Sequence, residues 1–339
     1  MKKVLFATTA LVASAGVAAA DDNLNISIGG SAEMGIVGGS DQETQFHNDV
    51  DISFGLAAET GTGLSFGAVV DLDEAGNLGR ALDNQGTSVF ISGDFGTLTL
   101  GDTDGAVDFV MPDASTAGNP GSIDDSEPVH GGYLGAYLDG LTVDLNADGD
   151  SLDAGEYNGD NQVLRYNISF GDFTVAVSHE QEADDATGVV AATSGDGSTA
   201  IGVQYSGSFG AADVTAGLGY MVIDTDGTTP GSQVEHLGVS VLVELASGFS
   251  AVVGYSDIQD LNLATGVAVG AEDDHTFVGV GYSTGAISVH ANYGEFDSGG
   301  EGYGLAASYD LGGGASVHAA YGDTDGGAST WSLGVAMGF

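Results

Sequence analysis

Hydrophobic and polar residues alternate along most of this chain with a period of two. Between residues 24 and 36, one parity holds mainly Leu, Ile, Met and Ala, while the other holds Asn, Ser, Gly and Glu. The last segment is the clearest case, because every second residue is large and apolar: Trp331, Leu333, Val335, Met337 and Phe339. Successive side chains of a strand point to opposite faces, so this period predicts β-strands with one apolar and one polar face.

The connections between the predicted strands alternate in length. Seven are short turns, such as residues 171–172 and 208–211, and eight are long segments rich in Asp, Gly and Asn, the longest being residues 103–161. The chain then holds sixteen strands of about ten residues each. An even number of strands, with short turns at one end and long loops at the other, is typical of an outer-membrane barrel. The predicted fold class is all-β: a 16-stranded antiparallel transmembrane β-barrel.

The width of such a barrel decides what its two faces touch. Soluble barrels and sandwiches alternate too, but sixteen strands enclose more space than side chains can fill. Lipid offers the backbone no hydrogen-bond partners, and a closed barrel satisfies its own backbone completely. Aromatic residues of the apolar parity, such as Phe170, Tyr220 and Tyr321, lie near predicted strand ends, as expected for interfacial girdles. We therefore expect lipid outside and water inside.

The first twenty residues have the features of an export signal. Lys2 and Lys3 precede an apolar run that ends in Ala18, Ala19 and Ala20, and two aspartates follow. A basic start, a short apolar stretch and an A-x-A end predict a secretory signal peptide at residues 1–20. The run is short and rich in small residues for an anchor helix. The mature barrel is expected to span residues 21–339.

The charge is strongly acidic: 49 Asp and Glu stand against 4 Lys and Arg, a formal charge of −45. Only Arg80 and Arg165 remain after the predicted leader. Nucleic-acid binding is excluded as a function class, because phosphate contacts require a basic patch. The absence of Cys excludes disulfides and thiolate metal sites.

Three segments resemble a known family. Residues 89–102 read VFISGDFGTLTLGD, residues 306–316 read AASYDLGGGAS, and the chain ends in Phe339. These features resemble the general porins of alphaproteobacteria. The resemblance implies a homotrimer in the outer membrane of a Gram-negative bacterium, in contact with lipid and lipopolysaccharide. It implies passive diffusion of small hydrophilic solutes, no enzymatic activity and no required cofactor. It also implies that the assembly machinery recognises Phe339, and that the long third loop, about residues 103–161, folds into the lumen.

The expected pore constriction is acidic. Residues 102–161 hold fourteen acids and no Lys or Arg. The constriction is assigned to Asp102, Asp104, Asp108, Asp113, Asp124, Asp125 and Glu127. The lumen wall is assigned Glu33, Asp49, Asp51 and Asp71, with Arg165 as the one base of that parity. General porins commonly set the loop acids against a basic cluster on the opposite wall, and this chain has none. We expect a negative lumen that prefers cations, unless the acids only solubilise the outer loops.

One loop segment begins like a calcium site. Side-chain oxygens occupy positions one, three, five and seven of this segment, on Asp144, Asn146, Asp148 and Asp150, and Gly149 is at position six. This spacing is similar to the start of a calcium-binding loop. Position twelve is Gly155, and Glu156 comes one residue late. These residues are candidate calcium ligands, with an acidic loop as the alternative.

Other chemistry is weakly represented. The pattern G-x-S-x-G occurs at residues 63–67 and 281–285, but no helix is predicted after either, as a nucleophile elbow requires. His236, His275, His290 and His318 share the lumen parity without metal-ligand spacing and are interpreted as lone polar residues. The alternative functions are a substrate-specific outer-membrane channel and a secreted acidic calcium-binding β surface protein.

Overall fold

The computed structural model describes most of the predicted barrel. The described residues are 24–40, 43–72, 86–124, 126, 142–143, 157–158, 162–181, 197–224, 233–259, 272–297, 299–324 and 329–339. The predicted signal peptide, Arg80 and the candidate calcium ligands lie outside them.

Strands account for most of the described residues. The barrel strands are β1 (Leu24–Gly39), β2 (Gln45–Glu59), β3 (Ser65–Leu72), β4 (Thr87–Gly93), β5 (Gly96–Gly101), β8 (Gln162–Phe170), β9 (Phe173–Gln181), β10 (Gly197–Phe209), β11 (Ala212–Asp224), β12 (Gln233–Leu245), β13 (Phe249–Gln259), β14 (Glu272–Thr284), β15 (Ile287–Phe296), β16 (Gly300–Gly312), β17 (Ala315–Thr324) and β18 (Thr330–Gly338). Two short strands, β6 (Thr142–Val143) and β7 (Tyr157–Asn158), pair with each other in the third loop.

The sixteen barrel strands form one closed antiparallel sheet in which each strand pairs with its neighbour in the barrel order. The barrel closes between β1 and β18, with Ser31 opposite Gly338 and Gly39 opposite Thr330. The Phe339 amide adds a hydrogen bond to the Gly30 carbonyl at 2.9 Å. This closure leaves no free sheet edge, which lipid requires of a spanning sheet. The predicted fold class is confirmed.

The two faces of each strand differ as the period of two predicts. On β13, for example, every second side chain is buried, and the alternate positions include Val253 and Tyr255, which are exposed on the outside of the barrel. Leu218, Leu237 and Leu305 are likewise about half exposed there. An apolar exterior of this kind suits contact with hydrocarbon chains.

The connections confirm the predicted alternation of short and long. All seven short turns are present, and Gly171 and Gly210 occupy two of them with φ of +63° and +68°. Glycine adopts such positive φ values without strain. Several strands are longer than predicted, with thirteen residues in β10, β11, β12, β14 and β16 and sixteen in β1.

The third loop contains elements that the sequence pattern did not predict. A short helix, α1 (Ala106–Val110), follows β5, and a single 3-10 turn follows at Ala114–Thr116. No helix among the described residues is long and apolar enough to cross a membrane.

Candidate functional site

The part of the third loop that directly follows β5, residues 102–124 and 126, runs from the rim of the barrel into its interior. We call this segment the pore loop. Helix α1 packs against β9, β10 and β11, and the 3-10 turn packs against β13, β14 and β15. Residue Ser126 reaches β18, where its hydroxyl lies 3.2 Å from that of Ser332. The pore loop thus runs along the inner wall over more than half of the barrel strands, which narrows the lumen.

Side chains of the wall hold the backbone of the pore loop. Ser178 accepts a hydrogen bond from the Ala106 amide at 2.8 Å, and Gln204 donates one to the Val110 carbonyl at 2.9 Å. Two histidines continue the series, as His290 Nδ1 lies 3.0 Å from the Ala117 carbonyl oxygen and His318 Nδ1 lies 2.8 Å from that of Gly121. These contacts satisfy backbone groups of a segment that has little regular structure, and buried backbone groups need such partners.

Apolar side chains of the inner wall form a core with the pore loop. Ala106, Val107, Val110 and Met111 are buried against the inner faces of β9 to β13, and Ala114 and Ala117 against those of β12 to β14. We call the wall side of this contact the loop cradle: Ala176, Ala200, Met221, Ile223, Leu242, Val252, Ile258 and Phe277. The interpretation of the whole lumen face as polar was therefore wrong for this arc. The missed signal is local, because strands β11 to β14 carry large apolar residues on both parities.

Glycines let the pore loop approach the wall closely. A Cβ atom added at Gly279 would lie 2.1 Å from the Ala114 carbonyl oxygen, and one added at Gly281 would lie 2.0 Å from that of Ala117. At Gly217 the corresponding distance to the Val110 carbonyl oxygen is 2.4 Å. These distances are far below van der Waals contact. The cradle therefore requires glycine where the loop backbone crosses it.

Arg165 fastens the beginning of the pore loop. Its guanidinium donates a hydrogen bond to the Asp104 carbonyl at 2.6 Å, lies 3.8 Å from the Asp104 carboxylate and stands 4.0 Å from the ring centroid of Phe109. Arg165 is only 8% exposed. Its charge is thus engaged beneath the loop rather than displayed to the open lumen.

The predicted constriction acids are used in different ways by the loop. Asp102 accepts a hydrogen bond from the Gly86 amide at 2.8 Å, at the rim of the barrel. Asp113 caps the 3-10 turn by accepting from the Thr116 amide at 2.9 Å. Asp124 accepts from the Ser126 hydroxyl at 2.9 Å. These bonds stabilise the fold of the loop.

Two further acids lie close to Arg165. Asp104 forms the ion pair described above, and Asp108 lies in the first turn of α1, where it is half-buried and interacts electrostatically with the same guanidinium. Asp125 and Glu127, the other acids assigned to the constriction, lie outside the described residues.

A second group of acids lines the inner faces of β1, β2 and β3. We call it the acidic wall: Glu33, Asp49, Asp51 and Asp71. Glu33 and Asp49 are directly opposite each other in the β1–β2 pair, a placement in which like charges repel. Asp51 and Asp71 each accept a hydrogen bond from a serine on the neighbouring strand, at 2.9 and 3.0 Å. The acidic wall starts where the pore loop ends, since Ile123 lies against Gly35 and Gly334 at the β1–β18 seam.

The structure does not bring the described acids together as a metal centre. Within the described ranges, no group of three or more His, Asp or Glu side chains is placed to hold a metal ion. The calcium prediction at Asp144, Asn146, Asp148 and Asp150 concerns residues outside those ranges.

Comparisons with known proteins agree with this geometry. A family model described as Gram-negative porin matches residues 7–329. The chain belongs to this family of porins. It is similar to a porin of Rhodobacter capsulatus, with 30% identity over 307 residues, covering 86% of this chain and 91% of that protein. The structure resembles a solved porin with a TM-score of 0.69 and 26% identity, covering 93% of this chain and all of that one. A triple mutant of the Rhodopseudomonas blastica porin shares the fold, with a TM-score of 0.59, 18% identity and the same coverage.

Family and fold together establish the general function. The protein is an outer-membrane porin of a Gram-negative bacterium, and porins are channels rather than enzymes. The two G-x-S-x-G matches fit this result, because residues 65–67 begin β3 and residues 281–284 end β14, and neither forms the strand-to-helix elbow of a hydrolase.

Proposed function

We propose that this porin forms a water-filled, cation-preferring channel for the passive diffusion of ions and small hydrophilic solutes. The observation that carries the proposal is the charge of the described lumen. Acids stand both on the pore loop and on the acidic wall, whereas Arg165, the one Lys or Arg among the described lumen residues, is buried under the loop.

Electrostatics then favours cations throughout the passage. Charges act over about 8 Å at physiological ionic strength, so an ion that passes between loop and wall feels carboxylates on both sides. The repulsion between Glu33 and Asp49 is relieved when a cation is nearby, which raises the local cation concentration further. The same carboxylates repel anions.

The test is the zero-current potential of the purified protein in a planar bilayer under a KCl gradient. We expect the sign of a cation-preferring pore. The double variant Asp51→Asn and Asp71→Asn should reduce this potential, while Glu301→Gln, which removes an acid from the barrel exterior, should leave it unchanged. An anion-preferring potential in the wild type contradicts the proposal. A current that one defined solute blocks at saturation would instead indicate a substrate-specific channel.

We further propose a homotrimer that associates through the exterior of β18 and β1 to β5. On the exterior of β12 to β17, the strand ends next to the long loops carry six carboxylates: Glu235, Asp257, Asp274, Glu295, Glu301 and Asp323. Several of these carboxylates accept hydrogen bonds from tyrosine hydroxyls. On the described exterior of β1 to β5, the large side chains are apolar, among them Met34, Phe54 and Val89. An uncharged face of this kind suits contact between copies.

The trimer proposal is tested by adding bulk to each exterior. Val89 on β4 and Val253 on β13 are 51% and 53% exposed. We expect Val89→Trp to weaken the oligomer, as measured by chemical cross-linking and native electrophoresis, because the ring clashes with a neighbouring copy. Val253→Trp should be tolerated, because lipid accommodates the ring. Equal behaviour of the two variants contradicts the assigned interface.

The exterior carboxylates also support the proposed contact with lipopolysaccharide. We call the six carboxylates of β12 to β17 the acidic belt. The belt lies next to tyrosines such as Tyr293, whose hydroxyl is 2.7 Å from Glu295 and 2.5 Å from Glu301. Anionic lipid phosphates approach such a belt only with bridging divalent cations. Purified protein should therefore retain lipopolysaccharide in calcium and release it in a chelator, and retention that is independent of calcium argues against bridging.

Three proposals concern the ends of the chain and the third loop. We infer that residues 1–20 are removed on export, which N-terminal sequencing of the mature protein tests. We infer that the assembly machinery reads the terminal Phe339, whose side chain is 73% exposed at the closing seam. We also infer calcium binding by Asp144, Asn146, Asp148 and Asp150, which isothermal titration tests; no saturable uptake would end this proposal.

A further inference from the structure

Two buried histidines face the pore loop from the barrel wall. His290 on β15 is 4% exposed and His318 on β17 is 7% exposed. In each case Nδ1 is within hydrogen-bond distance of a loop carbonyl, at 3.0 Å from Ala117 and 2.8 Å from Gly121. These carbonyls lie beyond the 3-10 turn at Ala114–Thr116, where the loop has no further helix among the described residues.

The chemistry of the partners fixes which ring nitrogen carries the hydrogen toward the pore loop. A carbonyl oxygen only accepts, so Nδ1 must carry the hydrogen in both rings. His290 Nε2 lies 3.1 Å from the side-chain nitrogen of Asn292, which only donates, and Nε2 therefore accepts. His318 Nε2 lies 2.6 Å from the Ser316 hydroxyl, which is able to donate or to accept. The ring of His290, which donates at Nδ1 and accepts at Nε2, is therefore neutral.

We propose that His290 and His318 are positioning residues that hold the pore loop against the wall through Nδ1–H donors, and thereby set the size limit for solutes. The neutral ring of His290 suits this place, because it satisfies a loop carbonyl without adding a positive charge to the lumen. The inference rests on the channel function and is independent of the proposed ion preference.

The magnitude follows from the loss of the donors. Removal of one buried hydrogen bond shifts the ratio of docked to undocked loop by about fivefold. The two sites lie on different strands and serve different carbonyls, so their effects should multiply to roughly 25-fold. The open passage of an undocked loop admits larger solutes.

The test compares variants of the full-length porin in liposomes by swelling in neutral sugars of graded size, which ion preference does not affect. His290→Leu and His318→Leu remove the donors, and we expect relative entry of the largest sugars to rise, most in the double variant. His290→Asn returns a neutral donor near the Nδ1 position and should restore the wild-type size limit. His179→Leu is the control, because His179 is exposed on the outside of β9 and bonds Thr199 at 3.0 Å. Unchanged sugar entry in the double leucine variant overturns the proposal.

A spectroscopic measurement tests the state of the two rings in the wild-type protein without the leucine variants, and asparagine variants serve only to assign its signals. Nitrogen NMR of selectively labelled histidines separates the two neutral tautomers from the protonated ring. Among the signals of the seven histidines, we expect one Nδ1–H resonance to disappear in His290→Asn and another in His318→Asn. A ring without a hydrogen on Nδ1 at either residue, or a doubly protonated ring at His290, would contradict the assignment.

Discussion

The pore loop crosses so close to Gly279 that the methyl group of an alanine there should displace the loop. Gly279→Ala places a Cβ 2.1 Å from the Ala114 carbonyl oxygen, and 3.0 Å from both the Ala114 carbonyl carbon and Val252 Cγ1. The nearest atoms are loop backbone rather than the end of a flexible side chain, so rotamer changes do not relieve the clash. We expect the variant to push the loop off its cradle.

The size of the effect follows from these distances. An ordinary carbon–oxygen contact requires the Ala114 carbonyl to move by about 1.3 Å. Overpacking of this kind costs about 1–3 kcal/mol, which lowers the ratio of docked to undocked loop by roughly 5- to 150-fold. The barrel itself keeps its sheet hydrogen bonds, because alanine does not alter the strand backbone at a position of ordinary φ.

The assay is the swelling of porin-loaded liposomes in sugars of graded size, together with the noise of single-channel currents. We expect larger sugars to enter and the open-channel noise to increase. The matched control is Gly29→Ala, another glycine on an inner face, where an added Cβ meets only the Phe339 carbonyl oxygen at 3.9 Å.

Two results would refute this reasoning. If Gly279→Ala and Gly29→Ala both retain the wild-type size limit, the loop does not rest on β14 as described. If both variants lose it equally, the effect comes from glycine replacement in the barrel in general. Folding of each variant is checked by its resistance to unfolding in detergent before heating.

The remaining predictions concern Arg165 at the beginning of the pore loop, the loop cradle, and the C-terminal residue at the β1–β18 seam. Arg165→Met should lower the free energy of unfolding by about 1.5–3 kcal/mol, because it removes a charged hydrogen bond to Asp104. Urea unfolding in detergent measures this change, and an unchanged unfolding midpoint would contradict the prediction. Leu242→Ala should cost about 2–5 kcal/mol in the same assay, because it leaves a cavity under the loop; a loss below 1 kcal/mol would show that the site collapses. Phe339→Ser should reduce the amount of assembled barrel in the outer membrane while the Gly30 hydrogen bond stays; full assembly measured by membrane fractionation would argue against recognition of the aromatic end.

The barrel could be predicted from the sequence because lipid imposes a simple rule. Every strand must be apolar outside, and every backbone group must pair with a neighbour. The alternation from Leu24 to Phe339 follows directly, and the turn residues mark where each strand ends. Strand lengths were less predictable, since the long-loop ends of strands such as β1 extend past the point where alternation is clear.

The pore loop was only partly predictable. Its acids and its place in the chain were evident, but its path depends on a wall that is apolar on both parities. The inner face carries Met221, Leu242 and Phe277 at positions where the alternation predicts polar residues in contact with water. These apolar side chains are stable there because the pore loop covers them. Alternation alone therefore does not predict the loop cradle. Large apolar residues at inner-face positions are the sequence feature that indicates it.

The roles of the basic and imidazole groups required tertiary information. Arg165 has the parity of a lumen residue, yet it is buried by contacts with Asp104 and Phe109, which precede it by more than fifty residues. His290 and His318 look like isolated polar residues in sequence, because their partners are backbone carbonyls that no residue type identifies. Contacts of this kind depend on the loop path, which local sequence does not encode.

The most direct test of the central claim is the dependence of ion preference on salt. The zero-current potential of the wild-type porin should be measured at a fixed ratio of KCl concentrations, as the mean concentration rises from about 0.01 M to about 1 M, over which the screening length falls from about 30 Å to about 3 Å. An acidic lumen predicts strong cation preference at low salt that fades as screening grows. A preference for anions, or one for cations that is the same at every salt concentration, would contradict an account based on fixed carboxylates.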